Sequence, residues 1–215
     1  QPINVTLRMP TGGAIGAGPF HSQSNEAWFF HVPGLKIVYP SSAYDAKGLL
    51  NSSIDDNNTV LFFEHKALYR SIKDDVPEST YNIEIGKSKI IKEGNDLSIL
   101  TYGLGVIWAK EYASKSKYDV EIIDLRTLLP LDFDGIMSSV SKTNRALILH
   151  EDNITGGIGA EISALITENI FESLDAPIMR LGAIDTPIPC SKNIENDIYL
   201  PVKKISKKVD KLMKY

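Results

Sequence analysis

Apolar residues fall along this chain in short blocks, separated by glycine, proline and small polar residues. "INVTLR" (3–8) alternates and is β-branched, which predicts a strand. "MPTGGAIGAGPF" (9–20) is too densely punctuated by Gly and Pro for helix and reads as a loop. "SNEAWFFH" (24–31) predicts a short helix, with Ser24 as its cap and Glu26 in its first turn. "PGLKIVYP" (33–40) gives a turn and a strand, "SSAYDAKGLLNSSIDD" (41–56) a helix capped by Ser41 or Ser42 with Asp45 at its start, and "TVLFFEH" (59–65) a strand. Strand, helix and strand in this order imply a parallel sheet with helices on its faces.

The pattern then breaks. "YRSIKDDVPESTYNIE" (69–84) is charged, holds a proline and lacks an apolar period. It sets the expected boundaries: a partial α/β domain over 1–70, a linker over 71–85 and a second α/β domain over 86–215. Within the second, strands are expected in "GKSKIIKEG" (86–94), "DLSILTYG" (96–103), "YDVEIIDLR" (118–126), "RALILHED" (145–152) and "PIMRLGAI" (177–184). Helices are expected in "VIWAKEYASKS" (106–116), "LDFDGIMSSVSKT" (131–143), "GAEISALITENIF" (159–171) and "PVKKISKKVDKLMK" (201–214). No repeat or low-complexity tract interrupts them.

Composition narrows the class without naming a function. Across 215 residues, 43% hydrophobic and 23% charged residues are ordinary for a globular chain. A net charge of −4 gives no electrostatic case for nucleic acid or an anionic membrane. The lysines of the C-terminal stretch are interleaved with Val and Leu at helical spacing, which reads as an amphipathic surface helix rather than a binding tail. The single cysteine, Cys190, excludes an internal disulfide and fits a reducing cytoplasm. No apolar run reaches the roughly 18 residues of a membrane span, and no signal peptide is visible. Gln1 is not a natural start, so the chain is expected to begin inside a domain.

Candidate chemistry is sparse. His21 follows a glycine-rich loop that lets backbone approach a ligand or a neighbouring chain, and imidazole suits general acid–base work near neutral pH. Read locally, a hydrogen-bonded loop histidine is the competing account. His31 lies at a helix end, where its ring can bond terminal carbonyls. "SSIDDNN" (52–58) combines a helix C-terminus with acidic and amide oxygens, a set suited to a hard cation or to a solvated loop. In "HEDNITGGIGAEI" (150–162), glycine amides at a helix start can bind an anion or simply permit tight strand-to-helix packing. Cys190 has no metal-type neighbours. Neither a GxxxxGK[ST] loop nor CxxC, HExxH or GxSxG occurs.

Taken in order, "LRMPTGG", "HSQSNEAWFFHVPGLKIVYPSSAYDAKGLL", "LFFEHKALYR", "EIIDLRTLLPLD", "TNRALILHEDNITGGIGAEI" and "DTPIP" resemble one family. It is the beta subunit of the thiamine-diphosphate-dependent 2-oxoacid dehydrogenases, and the likeness runs from the first residue to the final helix. "HSQSNE" and "TGGIGAEI" look closer to the branched-chain type, with the pyruvate type second.

The resemblance implies part of a pyrimidine-binding parallel-sheet domain, then a three-layer α/β domain like the transketolase C-terminal domain. It also implies that the first half of the former domain, with the glutamate that protonates the aminopyrimidine, precedes this sequence. Thiamine diphosphate and magnesium would be held mainly by an alpha subunit, in a heterotetramer of two alpha and two beta subunits. The C-terminal domain would pair the beta subunits, and a lipoyl acyltransferase would dock. His21 matches the family's active-site histidine, expected to assist acyl transfer, with Ser22 and Gln23 as supports. The family's potassium site falls on Val5, Thr6, Ser53, Asp56 and Asn58. Tyr69 and Arg70 look structural or interfacial, and Trp108 and Met213 fit either interface or core. If eukaryotic, the chain would belong in the mitochondrial matrix. The competing classes are an acetoin dehydrogenase subunit, a transketolase or deoxyxylulose-phosphate synthase tail, and a non-catalytic assembly module.

Overall fold

The computed structural model describes residues 2–215; Gln1, read above as an interrupted start, lies outside them. Two sheets form. The first is built from β1 (Thr6–Thr11), β2 (Lys36–Val38), β3 (Val60–His65) and, from much later in the chain, β7 (Thr127–Leu129). Its order is β1-β3-β2-β7, with β3 parallel to both neighbours and β7 antiparallel to β2. Every residue of β3 is buried, as its unbroken apolar start requires of a central strand.

The second sheet has the order β4-β6-β5-β8-β9, from β4 (Lys89–Lys92), β5 (Leu97–Thr101), β6 (Val120–Asp124), β8 (Ala146–Asn153) and β9 (Met179–Ala183). All pairs are parallel except β4 with β6 at the edge. This is the mixed α/β architecture expected of the sequence.

Helices cover both sheets. Those of the first half are α1 (Gly18–His21), α2 (Ala27–Phe30), α3 (Ala43–Asp55) and α4 (Leu68–Ser71). The second half holds α5 (Leu104–Ala113), α6 (Phe133–Thr143), α7 (Gly159–Ile170), the single turn α8 (Lys192–Ile194) and α9 (Ile205–Leu212). Helices α5 and α9 bury Trp108, Val209 and Leu212 against Leu97, Ile99 and Ile122, which makes Trp108 a core residue and seats Met213 at the rim of that core. Helices α6 and α7 bury Ile136, Val140, Ile162 and Ile166 in a layer shared by Leu100, Ile148, Ile37 and Phe63. That shared layer joins the two sheets. A smaller core of Val38, Leu49, Val60 and Phe62 lies beneath α3.

Several expectations shift. Strand β1 starts at Thr6, not residue 3, and runs on through Pro10 to Thr11, a proline that an edge strand tolerates. Ser42, not Ser41, caps α3 by accepting from the Asp45 amide. Ser24 caps nothing: α2 starts at Ala27 after Glu26, and the Ser24 hydroxyl goes elsewhere. The loop expected over 9–20 ends in α1, whose first turn accepts Pro19 because the missing N–H would be unpaired there.

Residues 72–85 form no helix or strand, yet they are strapped to α3. The Asp74 carboxylate accepts from the Ala43 amide (2.6 Å), and Ser52 Oγ donates to the Ile83 carbonyl (2.6 Å). The Lys47 ammonium bridges the carbonyls of Pro77, Glu78 and Ser79. Tyr81 stacks on Tyr44 with centroids 4.6 Å apart.

Candidate active site

Just after β1 the backbone alternates in sign. Positive φ occurs at Gly12 (89°), Ala14 (61°), Gly16 (70°) and Gly18 (66°), with residues between them on the ordinary side. Such alternation turns successive amides toward one side and forms a concave anion-binding nest. Here the chain itself fills the nest. Ala14 N donates to Glu195 Oε1 (2.9 Å), Gly16 N to Glu195 Oε2 (2.8 Å), and Gly13 N to Glu151 Oε1. Glu195 is fully buried in the turn after α8, and Glu151 is buried in β8.

Glu151 also draws in both sheets. Its Oε2 lies 2.6 Å from His65 Nε2 at the end of β3, and its Oε1 accepts from Ser24 Oγ (3.2 Å). Because the Ala67 amide donates to His65 Nδ1, the ring proton sits on Nε2 and faces the carboxylate. Burial opposes ionisation of Glu151, but the facing His65, the Gly13 amide and Ser24 together hold it below the usual carboxyl range.

Beside this lies a second carboxyl. Glu26 is fully buried; Oε1 accepts from Tyr102 OH (2.7 Å), while Oε2 has no partner among the described residues. Burial, then the charge of Asp152, pushes Glu26 up to about 8, so it carries a proton at neutral pH. Burial also raises Asp152 to about 6. Tyr39 and Tyr102 are raised by burial and by Glu26. A cleft of 520 Å³, lined by Gln23, Trp28, Asp152 and Tyr199 among others, opens beside these groups.

His21 ends α1, three residues past the nest, and is exposed next to Phe20, which is 93% exposed. Its box is tied back to the loop: the Gln23 carbonyl accepts from Gly12 N (3.2 Å) and Thr11 Oγ1 (2.7 Å), and the hydroxyl of buried Ser22 has no partner among the described residues. His31 caps the C-terminus of α2 and is exposed. Cys190 is exposed, close enough to Gly18 that a Cβ there would strike its sulfur. Tyr69 OH donates to Glu64 Oε2 (2.7 Å), which also pairs with Arg8, whereas Arg70 is exposed.

The five residues matched to a potassium site are brought near one another but are satisfied without a cation. Thr6 Oγ1 donates to the Ser53 carbonyl (2.8 Å), and Val60 N donates to the Val5 carbonyl (2.9 Å). Asp56 pairs with the Lys36 ammonium and accepts from Asn58 N (2.8 Å). These contacts, with burial opposing, lower the Asp56 carboxyl. An ammonium already supplies the positive charge, so the donor set does not fit a further ion as arranged. Among the described residues, no cluster of three or more His, Cys, Asp or Glu is placed to hold a metal. Among the same residues no helix is long and apolar enough to cross a membrane.

In "HEDNITGGIGAEI" the packing account is the one seen. A Cβ on Gly157 or Gly159 would press on the His150 ring, which burial lowers to about 4. The anion cradle is at 12–18 instead. Sequence reasoning missed Glu195, His65 and Glu26 as site residues; Glu195 is 179 positions from the Gly16 amide it binds, and no local pattern marks it.

Residues 1–72 match the transketolase pyrimidine-binding domain, and residues 86–205 match the transketolase C-terminal domain. The pyruvate dehydrogenase E1 component subunit beta of Staphylococcus epidermidis is 44% identical over 207 residues, covering 95% of this chain and 63% of that protein. That of Staphylococcus aureus is 46% identical over 202 residues, covering 93% and 62%. The chain thus spans less than two thirds of the length of these curated relatives. A solved structure described as a split gene transketolase, inactive beta4 tetramer, superposes with a TM-score of 0.80 at 20% identity, over 99% of this chain and 68% of that one, a likeness of fold.

Proposed function

The chain belongs to the transketolase C-terminal domain family, and from that premise we propose that it works within the beta subunit of a thiamine-diphosphate-dependent 2-oxoacid dehydrogenase. The observation that carries this reading is the 44–46% identity to pyruvate dehydrogenase beta subunits across almost the whole chain. Pyruvate therefore replaces the branched-chain 2-oxoacid expected from "HSQSNE" and "TGGIGAEI" as the favoured substrate.

Thiamine diphosphate, when bound, supplies the electron sink for decarboxylation. The nest at 12–18 does not fit its diphosphate, because Glu195 and Glu151 already occupy it. The diphosphate is accordingly assigned to an alpha subunit, and no step is routed through it here. What this chain supplies is an imidazole on an exposed turn. His21 is exposed, beside the exposed ring of Phe20, and so is accessible to a second polypeptide. Its role is to hand a proton to the sulfur released when the lipoyl disulfide opens, at the Nδ1 or Nε2 atom that faces the arm.

The test is reconstitution of a beta subunit that carries this sequence and the N-terminal region the resemblance implies with an alpha subunit, followed by release of carbon dioxide from pyruvate and from branched-chain 2-oxoacids. Turnover of pyruvate with slower branched-chain turnover is expected. His21→Ala should slow transfer to a lipoyl domain far more than decarboxylation with an artificial electron acceptor. Equal loss of both rates removes the role of His21; association without turnover of any 2-oxoacid favours the assembly-module reading.

A further inference from the structure

We propose that Glu195, together with Glu151, is a positioning residue that sets where the His21-bearing turn stands, by acting as the built-in anion of the glycine nest. The inference rests on the function proposed for His21, and it adds a residue that has no chemistry of its own.

Three observations carry it. First, both oxygens of Glu195 are used, one on Ala14 N and one on Gly16 N, and Glu151 takes Gly13 N. Charged acceptors of this kind hold amides more strongly than neutral ones. Second, the approach is close enough to demand glycine: a Cβ on Gly13 would lie 2.8 Å from Glu195 Oε1 and 3.2 Å from Glu151 Oε1. Third, the path from clamp to histidine is short and stiff. Gly16 N is clamped, Gly18 and Pro19 open α1, and His21 closes it with Ser22 N donating back to the Gly18 carbonyl (3.0 Å). The Gln23 carbonyl then returns to Gly12 N, which closes the loop on itself.

The clamp also reaches across the molecule. The nest leaves the first sheet, while Glu151 lies in the second and Glu195 follows it, so the imidazole is placed by both halves of the chain at once. A carboxylate suits this task better than an external anion because it cannot dissociate. An exposed histidine without such a clamp would sample many positions, and misplacement by about an ångström costs on the order of a hundredfold in rate.

Hydrogen exchange of the beta subunit that carries this sequence and the N-terminal region the resemblance implies separates this from a general role in stability. Glu195→Ala is expected to speed exchange of amides 13–16 by about tenfold or more, with the rest of the chain protected as before. Glu195→Gln, isosteric but neutral and left with one acceptor oxygen in place of two, should fall between, and it decides the matter if the alanine variant does not fold. Gly13→Ala, which expels the carboxylates from the other side, should reproduce the faster exchange. In the reconstituted holoenzyme, Glu195→Gln should lower the rate of acyl transfer while leaving KM for pyruvate and decarboxylation with an artificial acceptor near wild type. Unchanged exchange at 13–16, or a rise spread evenly over the chain, overturns the clamp. Faster loop exchange with unaltered acyl transfer overturns the positioning of His21. Should the wild-type holoenzyme turn over no 2-oxoacid, the proposed function fails, and exchange alone still decides whether the nest is held by Glu195.

Discussion

His65 Nε2 stands 2.6 Å from Glu151 Oε2, one at the end of β3 and the other in β8, so a single buried pair spans the two sheets. The side chain of His65 is fully shielded and that of Glu151 almost so. The same carboxylate holds the Gly13 amide and the Ser24 hydroxyl, which makes it the point where the first strand's loop, the first sheet and the second sheet converge.

Removing Glu151 leaves the buried His65 Nε2–H, the Gly13 amide and the Ser24 hydroxyl without their acceptor, and one such unsatisfied buried group typically costs about 1–3 kcal/mol. Glu151→Ala is expected to destabilise the chain by that order, read from the midpoint of urea unfolding. Glu151→Gln keeps shape and one acceptor and should lose less. A loss below about 1 kcal/mol for the alanine variant would mean that the sheets are joined chiefly by their shared apolar layer.

Glu26 predicts a pH dependence with a definite sign. Its carboxyl moves from an ordinary 4.5 to about 8 in the fold. Between these values the unfolded chain has released the proton that the native state keeps, so stability falls as pH rises, by at most about 1.4 kcal/mol per pH unit, and levels off above 8. Asp152, raised to about 6, and Asp124, raised by burial to about 7, give the same sign at lower pH. His150, lowered to about 4, gives the opposite sign between 4 and its ordinary 6.5. Between pH 7 and 8 Glu26 titrates together with the upper part of the Asp124 transition. Wild-type melting temperature should therefore drop over that interval, and Glu26→Gln should make the drop shallower. Parallel slopes for the two proteins would place the proton elsewhere.

The central strands were legible because β3, β5, β6 and β8 are buried on both faces and read as nearly unbroken apolar runs. The Ser42 cap was legible because its partner, Asp45, is three residues away. The Ser24 cap failed for the reverse reason: its hydroxyl is claimed by Glu151, 127 positions later. Strand β7 is three residues long and exists because the edge of β2 is free to pair with it, a fact of tertiary packing rather than of local propensity. His21 on an exposed turn could be picked out from its glycines, but the carboxylates that hold the turn could not. Composition marks a nest; it does not reveal which anion sits in it.

The strap over 72–85 gives a prediction about α3. Alanine for glycine inside a helix ordinarily stabilises by up to about 1 kcal/mol. At Gly48, however, a Cβ would meet Ile83 Cγ1 at 2.6 Å and the Tyr81 ring at 2.7 Å, and the Gly48 carbonyl accepts from Ile83 N. Gly48→Ala should forfeit the helix gain, lift the strap and speed limited proteolysis within 72–85. Adding Ile83→Ala should relieve the Ile83 part of the clash, leaving the Tyr81 ring, so the pair will be less harmful than the sum of the singles. Strict additivity would show that the strap does not rest on α3.

Gly12 and Gly34 share nearly the same backbone angle, φ 89° and 88°, and differ only in surroundings. A side chain at either position pays the left-handed strain of about 1–2 kcal/mol. Among the described residues nothing lies within 4 Å of a Cβ on Gly34, so Gly34→Ala should cost no more than that. A Cβ on Gly12 would be driven into the His65 ring, where Cε1 would sit 2.7 Å away, and the ring cannot retreat without releasing Glu151. Gly12→Ala should therefore cost the strain plus much of the buried pair, exceeding Gly34→Ala by about 2 kcal/mol or more in urea unfolding. Because β1 ends one residue earlier and the clamped amides start one residue later, the same substitution should speed exchange at 13–16, as Glu195→Ala is expected to do. Equal losses at the two glycines would mean that His65 yields freely, and that the contact between the sheets at this point is loose.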